Sequence, residues 1–273
     1  MLFSRAYRLI AGDLDLSNLD VSFKVTKTLK PAPNTCEIQI RNLKETSRLS
    51  LASPKNGKLS VSLDAGYTNN VSRLYFGEVR SAQTTKTGGH TFVTEISTGD
   101  SEKALASVSL VRPVGPGEKT GDVLRALVTA LGVGAGNVND VANALASRGY
   151  GQIHGKTGTV LHGNVALQIT DLCRSCNLEW SIQDGNIQIL DRGFALKGKA
   201  IELSETSGLL EGATVDSKGV LQCKTLLIPE LKPGVLVVMK SENIRGGYRI
   251  ESVDYSGDTR DKEWYCTLHA KRV

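Results

Sequence analysis

Residues 21–40 read Val-Ser-Phe-Lys-Val-Thr-Lys-Thr-Leu-Lys-Pro-Ala-Pro-Asn-Thr-Cys-Glu-Ile-Gln-Ile. Val21, Phe23 and Val25 alternate with polar residues, Lys30-Pro31 breaks the run, and Cys36, Ile38 and Ile40 resume it. A period of two puts alternate side chains on one face, so each run is a short strand with one buried side. The texture continues outward through Leu59, Val61 and Leu63, then Phe92, Thr94 and Ile96, with Asn56-Gly57, Asn69-Asn70 and Gly88-Gly89 as turns. Residues 1–110 are therefore read as an antiparallel, barrel-like β-domain.

The pattern changes between Val111 and Lys119, where Pro113, Gly115, Pro116 and Gly117 cluster and mark a domain boundary. From Thr120 the period is helical. Val123, Leu124, Leu127, Val128 and Leu131 share a face, Thr120 is the expected cap and Gly132 the stop. A weaker helix over 140–148 groups Val141, Ala142 and Leu145, and a third carries Val165, Ile169, Leu172, Cys173 and Cys176 on one stripe. It runs into Leu178, Trp180 and Ile182, then Asp184-Gly185, then Ile187 and Ile189, the strongest short hairpin signal in the chain. Residues 111–203 thus form a small α/β domain.

Beyond Leu203 the strand pattern returns: Leu221 and Cys223, Val235 to Met239, Tyr248 and Ile250, and Trp264, Cys266 and Leu268. Lys232-Pro233-Gly234, Gly246-Gly247 and Ser256-Gly257-Asp258 separate these runs. Residues 204–273 are read as a second barrel-like β-domain, similar to the first, with the α/β domain packed outside both. The fold class is mainly β with an α/β insertion. No sequence repeat of 20 to 50 residues is evident.

Composition narrows the function. The 273-residue chain is 40% hydrophobic and 22% charged, the balance of a folded globular protein. Its 28 glycines and 5% aromatics suit tight turns between short strands and exclude a long helical bundle. Net charge is +5 with no block of five or six basic residues, so no specific nucleic-acid footprint is read. The longest apolar stretch, Val235 to Met239, is far short of the ~18 residues of a membrane helix. Arg5, Arg8 and Asp13 interrupt the N-terminus too early for a signal-peptide core, so synthesis in a cytoplasm is expected. Five scattered cysteines, Cys36, Cys173, Cys176, Cys223 and Cys266, do not form a secreted disulfide framework and are expected as buried thiols.

The chemical motifs resolve into ordinary structure. Gly155-Lys156-Thr157 would close a phosphate-binding loop only with a glycine at position 150, which is Tyr150. Gly132, Gly134 and Gly136 follow a helix, whereas a dinucleotide loop follows a strand. Cys173-Arg174-Ser175-Cys176 has redox or half-zinc spacing but sits at a helix C-terminus on the apolar stripe. Core packing is the preferred reading, with a labile thiol pair or a metal as alternatives. His90, His154, His162 and His269 are scattered, and His154 and His162 are expected in an exposed loop. No Gly-x-Ser-x-Gly elbow or helical His and carboxylate motif is present. No catalytic, cofactor or metal residue is assigned, and no enzyme is expected.

The last third carries a family likeness. Ser207-Gly208-Leu209-Leu210 and the phrase from Gly219 through Leu226-Leu227-Ile228-Pro229-Glu230-Leu231-Lys232-Pro233-Gly234 lead to Gly246-Gly247-Tyr248-Arg249-Ile250. Ser256-Gly257-Asp258-Thr259 and the Trp264 strand follow. This order resembles the closing portion of phage tail baseplate hub proteins of the late control protein D and Mu-like families, which are related to the hubs of contractile injection systems. The stretch from Asp171 to Ile187 resembles the α/β module of those hubs, so the likeness covers residues 160–273. Gly212-Ala213-Thr214 departs from it where the family pattern carries a proline.

The resemblance implies a virion structural protein. Three chains would form a ring at the distal tail end, joining the sixfold tube to the threefold central spike as a symmetry adaptor during host cell entry. Implied partners are two further copies, tail tube or distal tail proteins, the spike protein and the tape measure protein, with no membrane. The location implied is the virion tail baseplate, after synthesis in the host bacterial cytoplasm. A cell-wall glycan-binding module and a cysteine-dependent enzyme are the rival readings.

Overall fold

The protein, seen in a computed structural model, is described over residues 4–53, 59–152 and 158–273. The first elements are β1 (Arg5–Ala11), β2 (Leu14–Asp15), β3 (Asp20–Thr28), β4 (Thr35–Arg41), α1 (Glu45–Ala52), β5 (Ser60–Tyr67), β6 (Asn70–Thr87) and β7 (Thr91–Gly99). Then come α2 (Glu102–Ser107), β8 (Ser109–Val114), α3 (Thr120–Leu131), α4 (Val138–Ala144), β9 (Thr159–Asn164), α5 (Val165–Ser175), β10 (Leu178–Gln183) and β11 (Asn186–Asp191). The chain closes with β12 (Ile201–Leu203), β13 (Thr214–Val215), β14 (Val220–Leu226), β15 (Leu236–Lys240), β16 (Arg245–Asp258) and β17 (Trp264–Arg272). Among the described residues, strand accounts for 49% and helix for 17%, so the mainly β fold with an α/β insertion expected from the sequence is the fold observed.

Two compact units are present. One contains Met1–Thr28, Asn34–Asp100 and Ala195–Val273, and the other Leu29–Pro33 and Ser101–Phe194. In the first, a 13-stranded sheet follows the order β13-β14-β17-β16-β3-β4-β7-β6-β5-β1-β2, with β15 also on β16 and β12 parallel to β15. The alternation seen in residues 21–40 is the β3–β4 pair, with Val21 opposite Ile40, Phe23 opposite Ile38 and Val25 opposite Cys36.

Strand β16 is where the early and late β regions meet. Its start, Arg245 to Arg249, pairs with β15, its end, Ser252 to Asp258, pairs with β3, and β17 lies along it from Tyr248 to Gly257. Because β17 occupies one edge, β15 and β3 share the other in succession. The change of partner coincides with a register shift between Ile250 and Ser252, where a bulge bends a strand and strengthens its twist. One apolar cluster takes residues from both regions, including Leu9, Val25, Ile40 and Leu63 from the first and Leu221, Val237, Ile250 and Leu268 from the second.

The second unit has its own core, built from the α3 stripe, Ile169 and Cys173 of α5, and Trp180, Ile182, Ile187 and Ile189 of the hairpin. Asp184 (φ +54°) and Gly185 (φ +80°) form its two-residue turn, the left-handed pair whose twist matches the flanking strands. Gly132 ends α3 at φ +76° as read from sequence, but Thr120 is the first helical residue and Lys119 holds the cap position. The second helix spans Val138–Ala144, not 140–148. Asn164 caps α5 by accepting a bond from the Leu167 N–H at 3.1 Å.

The Pro/Gly cluster within 111–119 reads as a domain boundary; β8 enters it, running to Val114 and pairing with β9. The Val165 N–H bonds the Val108 carbonyl, which fixes the phase of this ladder and points the Pro113 nitrogen away from β9. An edge position tolerates proline because no donor is needed there. Helices α1 and α2 carry no clear apolar stripe; α1 buries only Leu51 and α2 nothing.

Candidate functional site

Of the residues quoted for the family likeness, Ser256 to Thr259 and Trp264 meet in the first unit at one corner, the turn between β16 and β17. Gly257 lies opposite Phe23 on β3 and opposite Trp264 on β17. A Cβ on Gly257 would lie 2.3 Å from the Phe23 ring, so the absence of a side chain there is what lets the ring settle. Trp264 is 4% exposed and its Nε1–H donates to the Gly66 carbonyl at 3.0 Å. Phe23 packs against its ring and the Arg5 guanidinium lies over it, both from the N-terminal strands.

Asp258 organises the turn itself. Its Oδ1 accepts the N–H groups of Arg260 at 2.7 Å and Asp261 at 3.0 Å, a side chain standing in for a backbone turn acceptor. Thr259 completes the lock on β3: its N–H donates to the Val21 carbonyl at 3.0 Å and its Oγ1 accepts the Val21 N–H at 3.1 Å. Arg5 of β1 donates to the carbonyls of Asp258 at 2.8 Å, Lys262 at 3.1 Å and Asp261, while its guanidinium lies over the Trp264 ring. Arg260 pairs with Asp20. The corner thus ties the end of the chain to β1 and β3.

The Leu-Pro phrase serves the same core. Leu227 and Leu231 are fully buried, the Tyr255 hydroxyl donates to the Leu231 carbonyl at 2.7 Å, and the Gly234 N–H bonds the Ile250 carbonyl at 2.8 Å. Tyr248 and Arg249 of the Gly-Tyr-Arg strand are each 5% exposed, with the Arg249 Nε donating to Glu251 at 2.9 Å.

Sequence reasoning missed a buried polar group in this unit. Lys27, Asn34, Thr98 and Asp100 are buried. Asn34 Oδ1 accepts the Thr28 N–H at 3.0 Å, its carbonyl accepts the Asp100 N–H at 2.9 Å, and Thr98 Oγ1 donates to the Cys36 carbonyl at 2.9 Å. Burial pushes the nearby Tyr75 phenol and the Cys36 thiol far up. The only sequence signal is that Lys27 shares the parity of Val21, Phe23 and Val25.

In the second unit, Cys173 lies on α5 and Cys176 is its C-terminal cap. Both are buried. Burial, and secondarily the neighbouring Cys176, pushes the Cys173 thiol up to about 12, and burial raises Cys176 as well. Protonated thiols are poor nucleophiles and poor metal ligands. Among the described residues no cluster of three or more His, Cys, Asp or Glu side chains is placed to hold a metal ion.

The glycine triplet is structural: Gly134 exchanges backbone bonds with the hairpin turn, and a Cβ on Gly136 would lie 1.7 Å from the Ile187 carbonyl. His162 is exposed on strand β9, not in a loop, His90 is exposed at the β6–β7 turn, and His269 is half-buried on β17. His154 and Gly155-Lys156-Thr157 lie outside the described residues. Among the described residues, no helix is long and apolar enough to cross a membrane.

Comparison with solved structures then places this fold. The 43 kDa tail protein of prophage MuSo2 from Shewanella oneidensis matches at TM-score 0.67 and 11% identity, over 98% of this chain and 97% of that one. The likeness is one of fold. A tail protein from Neisseria meningitidis MC58 matches at TM-score 0.68 and 11% identity, over 99% and 97%. The E. coli c3393 protein is a type VI secretion system component with structural similarity to the T4 bacteriophage tail proteins gp27 and gp5. It matches at TM-score 0.60 and 12% identity, over 97% and 76%. No protein-family model matches the sequence, and no curated protein matches it.

Proposed function

We propose that this chain is a non-enzymatic structural component of a phage tail, a baseplate hub that assembles as a homotrimer between tail tube and central spike. The observation that carries the reading is the fold match to two phage tail proteins over 97% or more of each chain. The motifs quoted from the last β region support it, since the Gly-Asp-Thr turn and Trp264 build the β16–β17 corner and the Leu-Pro phrase packs into the core of the first unit. In this reading the β regions of residues 1–110 and 204–273, joined through β3 and β16 in one sheet over a common core, are the two barrel-like domains of the hub, with the α/β module of 111–203 between them in the chain. Three copies then present six β units to the tube and three to the spike, a match that closed cyclic symmetry permits. Tail tube or distal tail proteins, the spike and the tape measure protein are the partners, and the working location is the virion baseplate, in the service of host cell entry. An antibody against the chain, applied to intact particles for electron microscopy, tests this: label at the distal tail end is expected, and label on capsids or on no particle overturns it.

A further inference from the structure

We draw no further inference here: the strongest candidate, the groove of about 500 Å³ between α3, α5 and β9 in the second unit, has an apolar floor at Val123, Leu127 and Leu172, and nothing in the structure shows what covers it.

Discussion

The edge of one aromatic ring meets the face of the other where Phe23 and Trp264 touch, their centroids 5.5 Å apart and their planes at 73°. This contact joins the strand nearest the decisive sequence stretch to the last strand of the chain, with Gly257 of β16 between them in register. Trp264→Ala is expected to cost about 3–5 kcal/mol through the cavity it leaves. Trp264→Phe, which keeps most of the ring and loses the bond to Gly66, is expected to cost less, and a Phe23/Trp264 double-mutant cycle should show coupling of about 0.5–1.5 kcal/mol. Urea unfolding of the parent, Phe23→Ala, Trp264→Ala, the double variant and Trp264→Phe, five proteins in all, measures all three quantities.

Gly257→Ala addresses the same contact from the backbone side. Its Cβ would press on the Phe23 ring at 2.3 Å, so destabilisation of about 1–3 kcal/mol from overpacking is expected. In a Phe23→Leu background the penalty should shrink; an unchanged penalty would mean that Gly257 is required for another reason.

The alternating runs were legible because one face of each strand is buried in a common core, and period two is the direct imprint of that arrangement. The α3 stripe and the Asp184-Gly185 turn were legible for the same local reason. What the sequence hid is non-local or breaks the pattern. Trp264 bonds to a residue 198 positions away, Lys27 occupies an inward position where an apolar residue is the norm, and β8 contains a proline that only its edge position permits. The β16–β17 corner was recognisable as a phrase of residues, but its ties to Arg5 and Val21 were not, because neither partner carries a local signal of that pairing.

The buried thiols set an alkaline limit to stability. Their folded pKa values lie above the ordinary thiol value of 9.0, reaching about 12 for Cys173 and Cys223 and about 11 for Cys266. Above pH 9 the unfolded chain releases thiol protons that the folded chain keeps, so these groups lower stability as pH rises from about 9 toward 12. Each such thiol contributes a slope of up to about 1.4 kcal/mol per pH unit in that window. Cys173→Val should flatten the fall in urea midpoint between pH 9 and 10.5 relative to the parent chain; an identical slope would show that Cys173 is not held protonated.

The glycines after α3 should respond according to space. Gly132 has φ +76° with nothing near its missing Cβ, whereas Gly136 has φ +48° and lies against the Ile187 carbonyl. Gly132→Ala is expected to cost about 1 kcal/mol from backbone strain alone, and Gly136→Ala clearly more. Thermal unfolding of the two variants ranks them, and equal losses would contradict the packing described. Because these glycines are structural and Tyr150 replaces the glycine that a phosphate loop requires, neither the parent nor Lys156→Ala should bind ATP in a calorimetric titration.

Arg5 tests the corner. Arg5→Ala removes three carbonyl contacts and the cation over Trp264, with an expected loss of about 1–2 kcal/mol. Faster amide exchange should follow at Arg260 and Asp261, whose N–H groups Asp258 holds. Arg5→Lys should recover only part of the effect, since an ammonium lacks the planar fork that reaches several carbonyls at once.

The central claim is that three copies of this chain close into a ring, and the native mass of the purified protein by multi-angle light scattering tests it most directly. Three 29.3 kDa chains predict a single species of about 88 kDa that persists on dilution. A monodisperse 29.3 kDa species at every concentration up to the solubility limit would contradict the account.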